Sequence, residues 1–112
     1  MKRGEVWWAS LTEPLDSEPG YRRPVVIVQS DQFNESRIGT VIATAVTTNL
    51  RRAGAPGNVL LRRQESGLPR DSVANVSQLI TVSKRFLTER AGRLSSQRMR
   101  ELDEGLRLVL AL

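Results

Sequence analysis

Apolar residues along the chain fall in short runs that alternate or stay continuous over a few positions, the signature of strands. The first, Gly4 to Ser10, is rich in β-formers and holds adjacent Trp7 and Trp8. Neighbours on a strand point to opposite faces, so one tryptophan is expected to fill the core and the other to need a cover, a second subunit or solvent. Thr12 to Tyr21 carries two prolines, a glycine and three acids, and reads as a loop. It is long for a hairpin connection, which marks it as a candidate functional loop. Arg23 to Gln29 is a continuous apolar strand. Ser30 and Asp31 are placed to cap a helical turn over Gln32 to Glu35, where Phe33 is assigned to the core. Strands are predicted over Ile38 to Val46, Asn58 to Arg62 and Ser72 to Val82, with a loop from Thr47 to Pro56 and a turn at Glu65 to Pro69. Ser83 caps a turn through Leu87, and a short strand lies near Ala91 to Leu94. Ser95 or Ser96 opens a final helix whose Met99, Leu102, Leu106 and Val109 recur at helical spacing. The surplus of apolar residues from Leu108 to Leu112 fits burial against the barrel or a partner chain. Five or six short strands and one terminal helix predict a mainly β, α+β architecture: a small SH3-like, partly open β-barrel in a single domain over 1–112.

Composition narrows the chemistry. The chain has no cysteine and no histidine, which excludes disulfides, thiolate metal sites and an imidazole base. Hydrolytic chemistry must then use Arg, Lys, carboxylates or hydroxyls. Lys2 and Lys84 are the only lysines among 17 basic residues, and the net charge is +5. Guanidinium forks grip phosphate, so the balance points to a polyanion or an acidic protein partner. Arginine used for lysine through genomic base composition reads equally well. No apolar run approaches the roughly 20 residues of a membrane span, and the start Met1-Lys2-Arg3-Gly4-Glu5 lacks a signal peptide's apolar segment. The expected location is the cytoplasm.

Four segments together resemble the MazF/PemK toxin family: Arg3-Gly4-Glu5-Val6-Trp7, Ser17-Glu18-Pro19-Gly20-Tyr21-Arg22-Arg23-Pro24-Val25-Val26, Thr44-Ala45-Val46-Thr47-Thr48, and Arg70-Asp71-Ser72-Val73-Ala74-Asn75-Val76-Ser77-Gln78-Leu79. The likeness continues into a Leu87-Thr88-Glu89 turn and the terminal helix. It implies a CcdB/PemK-like barrel that forms a homodimer and cuts single-stranded RNA (mRNA, tRNA or rRNA) without metal or other cofactor. It also implies control by a MazE-like antitoxin whose acidic C-terminal segment covers the RNA groove. The family's catalytic arginine and threonine fall on Arg23 and Thr47, its loop acid on Glu18, and its RNA-contacting serine and glutamine on Ser72 and Gln78. Two departures bear on base preference: Arg22 stands where many members are uncharged, and Ser77 where some carry Glu. Both are further RNA-binding candidates.

The chemistry implied needs no imidazole, because RNA's own 2′-hydroxyl can attack the adjacent phosphate. A guanidinium aimed at the non-bridging oxygens stabilises the charge that gathers there. Pro24 holds Arg23 extended at a strand start; the competing reading is a surface arginine in an ion pair. Thr47 is suited to bond a phosphate oxygen or the attacking hydroxyl, or else to satisfy a loop amide. Glu18 is an easier base than any arginine, or simply a solvated carboxylate. On a regular strand Ser72 and Gln78 share a face and Ser77 takes the other; all three also read as ordinary edge polarity. Tyr21 and Phe33 are the available stacking aromatics. The pairs Arg51-Arg52 and Arg62-Arg63 suit RNA phosphates, antitoxin acids or plain solvation. Two rival functions stay open. A CcdB-like gyrase poison depends on a tryptophan near the C-terminus, whereas both tryptophans here are at 7 and 8. A non-catalytic binding barrel predicts RNA bound but intact.

Overall fold

The computed structural model describes residues 1–11 and 22–112; the predicted loop, with Glu18 and Tyr21, lies outside them. Among the described residues six strands form one antiparallel sheet: β1 (Glu5–Ser10), β2 (Arg22–Ile27), β3 (Thr40–Thr47), β4 (Val59–Leu61), β5 (Ser72–Ser83) and β6 (Leu87–Arg93), in spatial order β4-β5-β3-β2-β1-β6. Two single-turn helices, α1 (Asp31–Asn34) and α2 (Arg63–Ser66), connect strands. The sheet curls into an open half-barrel and α3 (Ser96–Leu110) packs against it. No helix among the described residues is long and apolar enough to cross a membrane.

Strand alternation divides the core. Val6, Val26, Val46, Ala74 and Val76 face α3, whose Leu102 and Leu106 fill the space between. Val25, Ile27, Val41 and Ala43 point the other way and gather a second cluster. Trp8 packs on the first cluster and Trp7 on the second. The two tryptophans therefore do face opposite ways, but both are half-buried rather than one being core and one uncovered. Burying each large aliphatic side chain contributes about 1.5–3 kcal/mol, which is why α3 docks through Leu102 and Leu106.

Several local expectations are corrected. Phe33 is 53 % exposed. The buried residue of α1 is Asn34, which exchanges hydrogen bonds with Gln29 (its Nδ2 to the carbonyl at 2.9 Å) and also donates to Asp31. A one-turn helix can bury only one side chain well, and here the polar one is satisfied. Ser30 and Ser83 occupy cap positions without a side-chain capping bond. Ser95, not Ser96, caps α3 by accepting the Arg98 amide. The predicted loop after β3 contains a 3-10 turn, Leu50–Gly54. The expected turn at Leu87-Thr88-Glu89 is instead the start of β6. Pairing of β6 with β1 slips at Val6/Trp7 and again at Trp8/Ala9, so its polar and apolar residues do not alternate legibly. Val109 is exposed, as are Leu108, Leu110 and Leu112.

Hydrogen-bonded carboxylates tie the connections down. The Arg3 amide donates to Asp31 at 2.7 Å, and Arg98 donates to Glu65 at 2.9 Å. These donors hold both carboxyls below the usual carboxylate range, Asp31 chiefly through the Arg3 amide and Glu65 chiefly through Arg98. A depressed folded-state pKa stabilises the fold above the unfolded value, and that contribution disappears as pH falls through the folded value. The midpoint of urea unfolding is therefore expected to hold steady from neutral pH down to about 5 and to drop below about 4. In Asp31→Asn the drop is expected to be shallower.

Candidate functional site

One rim of the sheet collects the strand ends that matter. β2 and β3 pair with Val25 opposite Ala45 and Val26 opposite Thr44. Continuing that register by two residues sets Arg23 opposite Thr47. The side chains agree with that proximity: Arg23 Nη2 donates to the Val46 carbonyl at 3.4 Å. Arg23 is half-buried, and Pro24 behind it is buried and lies across from Trp8. The arginine thus leaves a stiff strand start with its stem packed and its fork near the end of β3. Thr47 is 4 % exposed, and its hydroxyl oxygen accepts the Asn49 amide at 3.1 Å. The loop-amide bond anticipated as the rival reading of Thr47 does form.

The other candidates divide. Arg22 points to the opposite face from Arg23, as strand neighbours must. Its guanidinium lies 4.3 Å from the centroid of the Trp8 ring and pairs with Glu89 at 2.8 Å. Ser72 is 1 % exposed and its hydroxyl donates to the Arg70 carbonyl at 3.0 Å. Ser77 is exposed and Gln78 half-buried.

Alternation does not relate Ser72, Ser77 and Gln78, because β5 is irregular between them. Leu79 pairs with Thr44 and Asn75 with the next residue, Ala45. One step on β3 therefore spans four on β5, and Val76, Ser77 and Gln78 bulge out. Asn75 organises the bulge. Its Oδ1 accepts from the Ser77 amide at 3.3 Å and the Ser77 hydroxyl at 2.8 Å, and its Nδ2 donates to Gln78 Oε1 at 3.3 Å. Its carbonyl accepts the buried Thr44 hydroxyl at 2.6 Å. Asn58 closes the other side, accepting the Val76 amide at 3.0 Å and donating to the Arg52 carbonyl at 2.9 Å. Ser77 and Gln78 are thus held as one unit, contrary to the expectation that they diverge.

Sequence reasoning passed over Asn75 and Asn58 as positioning residues. The available signal was an asparagine inside the apolar run Val73 to Val76, where an amide needs partners to be buried. Asn75 is 3 % exposed, so Asn75→Ala strands the Ser77 amide and hydroxyl. It is expected to lower unfolding free energy by about 1–3 kcal/mol in a urea titration. Asn75→Asp keeps the acceptor for Ser77 and is expected to lose less.

Comparison with known proteins gives the family and the fold. The sequence profile of the PemK-like, MazF-like toxins of type II toxin–antitoxin systems matches residues 2–110. The chain is similar to the endoribonuclease MazF6 of Mycobacterium tuberculosis, with 47 % identity over 112 residues that cover 100 % of this chain and 98 % of the relative. It is also similar to the endoribonuclease EndoA of Bacillus subtilis, with 36 % identity over 112 residues covering 100 % and 96 %. Among solved structures, an endoribonuclease from a mycobacterial species in complex with its cognate antitoxin superposes with TM-score 0.81 at 23 % identity, covering 100 % and 96 %. MazF from Deinococcus radiodurans superposes with TM-score 0.78 at 21 % identity, covering 100 % and 97 %. At those identities the structures speak for the fold, whereas the matched profile and the full-length sequence relatives speak for kinship. The chain belongs to the PemK-like, MazF-like toxins of type II toxin–antitoxin systems.

Proposed function

We propose that this toxin is a sequence-selective endoribonuclease that cuts single-stranded RNA through the RNA's own 2′-hydroxyl. What supports the reading is the Arg23 guanidinium donating to the carbonyl of Val46, the residue before Thr47 at the end of β3. The 2′-oxygen attacks the neighbouring phosphorus, and the bond to the 5′-oxygen breaks. The products are a 2′,3′-cyclic phosphate and a 5′-hydroxyl. Arg23 bonds the non-bridging oxygens as their charge rises. Thr47 holds a phosphate oxygen or the attacking hydroxyl. Glu18 takes the 2′ proton, since a guanidinium is a poor base at neutral pH, and the departing 5′-oxygen takes a proton from water. Ser77 and Gln78 on the bulge offer hydroxyl and amide groups to base edges, which single strands expose. Buried Ser72 supports the rim through the Arg70 carbonyl, and Arg22 stays on Trp8 as a cation bordering the groove.

Two partners follow. A second copy of the chain covers the groove lined by Ile42, Leu79, Leu106, Leu110 and Leu112, of volume about 400 Å³, whose exposed aliphatic residues otherwise face water. A MazE-like antitoxin with an acidic C-terminal segment masks the basic rim, as the antitoxin-bound neighbour encourages. The compartment is the cytoplasm.

The test is a labelled RNA of mixed sequence incubated with purified protein in excess EDTA, with the ends mapped. Cutting at a few short sites with cyclic phosphate ends is expected. A requirement for added magnesium, or intact RNA alongside inhibited gyrase, would overturn the proposal.

A further inference from the structure

The same rim continues past Thr47 into a cleft that no step above uses. Thr47 lies opposite Val73, and Ser72 opposite Leu61, so the ends of β3 and β4 and the start of β5 line up. A cleft of about 590 Å³ is lined by Thr48, Leu50, Arg63, Gln64, Pro69 and Arg70, together with the Arg62–Asp71 pair. The Asp71 carboxylate is engaged by the Arg63 amide at 2.9 Å and by the Arg62 guanidinium at 3.4 Å. Among the described residues no carboxylate pairs with the guanidinium of Arg63 or of Arg70. Both arginines are exposed.

From this arrangement, and resting on the RNA-cleaving reading above, we infer that the cleft between Arg63 and Arg70 binds a nucleotide flanking the one that is cut. The ligand must bring anionic oxygens for these two guanidiniums and hydrogen-bonding groups for Thr48 and Gln64. It must also bring a flat apolar face for Leu50 and Pro69. A nucleotide within an RNA chain has all three, and the volume is of the size that holds small ligands, roughly 300–1,000 Å³. Direction supports the same choice. Toward β1 the neighbouring cation, Arg22, points to the opposite face from Arg23 and is already stacked on Trp8 and paired with Glu89. Toward β4 an RNA strand leaving Arg23 and Thr47 meets Arg63 and Arg70, whose guanidiniums no described carboxylate neutralises. Two strand spacings separate β3 from β4, roughly 10 Å, so the cleft meets a neighbouring nucleotide and not the scissile phosphate.

The test compares the wild type with Arg63→Gln/Arg70→Gln, which touches neither Arg23 nor Thr47. Binding of an RNA oligonucleotide carrying 2′-deoxy sugars at its cut site is followed by fluorescence anisotropy over a range of salt. The double variant is expected to bind about tenfold more weakly at low salt. Its plot of log affinity against log salt is expected to be shallower by roughly 0.7 for each phosphate it no longer neutralises. Its urea midpoint should be unchanged. Trimming the RNA one nucleotide at a time from each end should bring wild type and variant together once the flanking nucleotide is gone. Equal salt slopes would overturn the inference. So would a variant that binds RNA normally but loses an acidic antitoxin peptide, which would make the cleft a protein site. Cleavage of all-ribose RNA by the wild type is scored separately: a wild type that cuts nothing sinks the activity, whereas equal slopes in a wild type that cuts sink the cleft alone.

Discussion

Arg23→Ala is expected to slow RNA cleavage by about a hundred- to a thousandfold, the equivalent of about 3–4 kcal/mol of transition-state stabilisation. The loss is specific because phosphoryl charge is larger in the transition state than in the bound substrate. A donor matched to that increase lowers the barrier more than it tightens binding. Under single turnover the rate constant should therefore fall far more than affinity for a 2′-deoxy analogue. Arg23→Lys retains the charge but not the planar fork, and should recover only part of the rate. Arg23 is half-buried, so the fold must be verified by circular dichroism and a urea midpoint close to the wild type's. A folded Arg23→Ala protein that cuts at the normal rate would remove the arginine from the chemistry and with it the main support for the proposed mechanism.

Gly105→Ala is expected to destabilise the protein by about 3 kcal/mol or more, through overpacking against backbone. Helix propensity alone has the opposite sign, since alanine in mid-helix is better than glycine by about 0.8–1 kcal/mol. Packing decides. A Cβ built at Gly105 would sit 2.1 Å from the Gly57 carbonyl oxygen and 3.1 Å from its Cα. Neither atom can swing away as a side chain would. Gly57 itself has φ +83, a left-handed conformation that other residues take at a cost. To admit the methyl, α3 must lift from the turn that leads into β4, which draws Leu102 and Leu106 out of the core. Asn58, next to Gly57, holds the bulge through the Val76 amide, so the damage should also reach Ser77 and Gln78. Urea unfolding of Gly105→Ala gives the measurement; a raised midpoint would show that α3 does not press on this turn.

Much of the architecture is legible in the order of residues. The continuous run at Pro24 to Val28 and the helical spacing of Met99, Leu102 and Leu106 record burial, and burial is written one residue at a time. Arg23 and Thr47 are legible only through resemblance. Nothing in their local pattern distinguishes them from an ion-paired arginine and a turn threonine. The register of β2 against β3, with Val25 opposite Ala45, carries Arg23 to the end of β3, where it bonds the Val46 carbonyl.

Residue order along the chain determined the number of strands to within one, the terminal helix, the positive balance rich in arginine and the absence of imidazole and thiol chemistry. These follow from composition and from periodicities that each element carries within itself. Tertiary structure alone decided where the periodicity breaks. The bulge at Val76 to Gln78 and the slips in β6 have no dedicated residue type, because an extra residue in one strand is defined only by its partner strand. It also decided the sign at Gly105 and the work of Asn75 and Asn58. Those depend on atoms distant in sequence arriving within hydrogen-bonding or van der Waals reach, which no local pattern encodes.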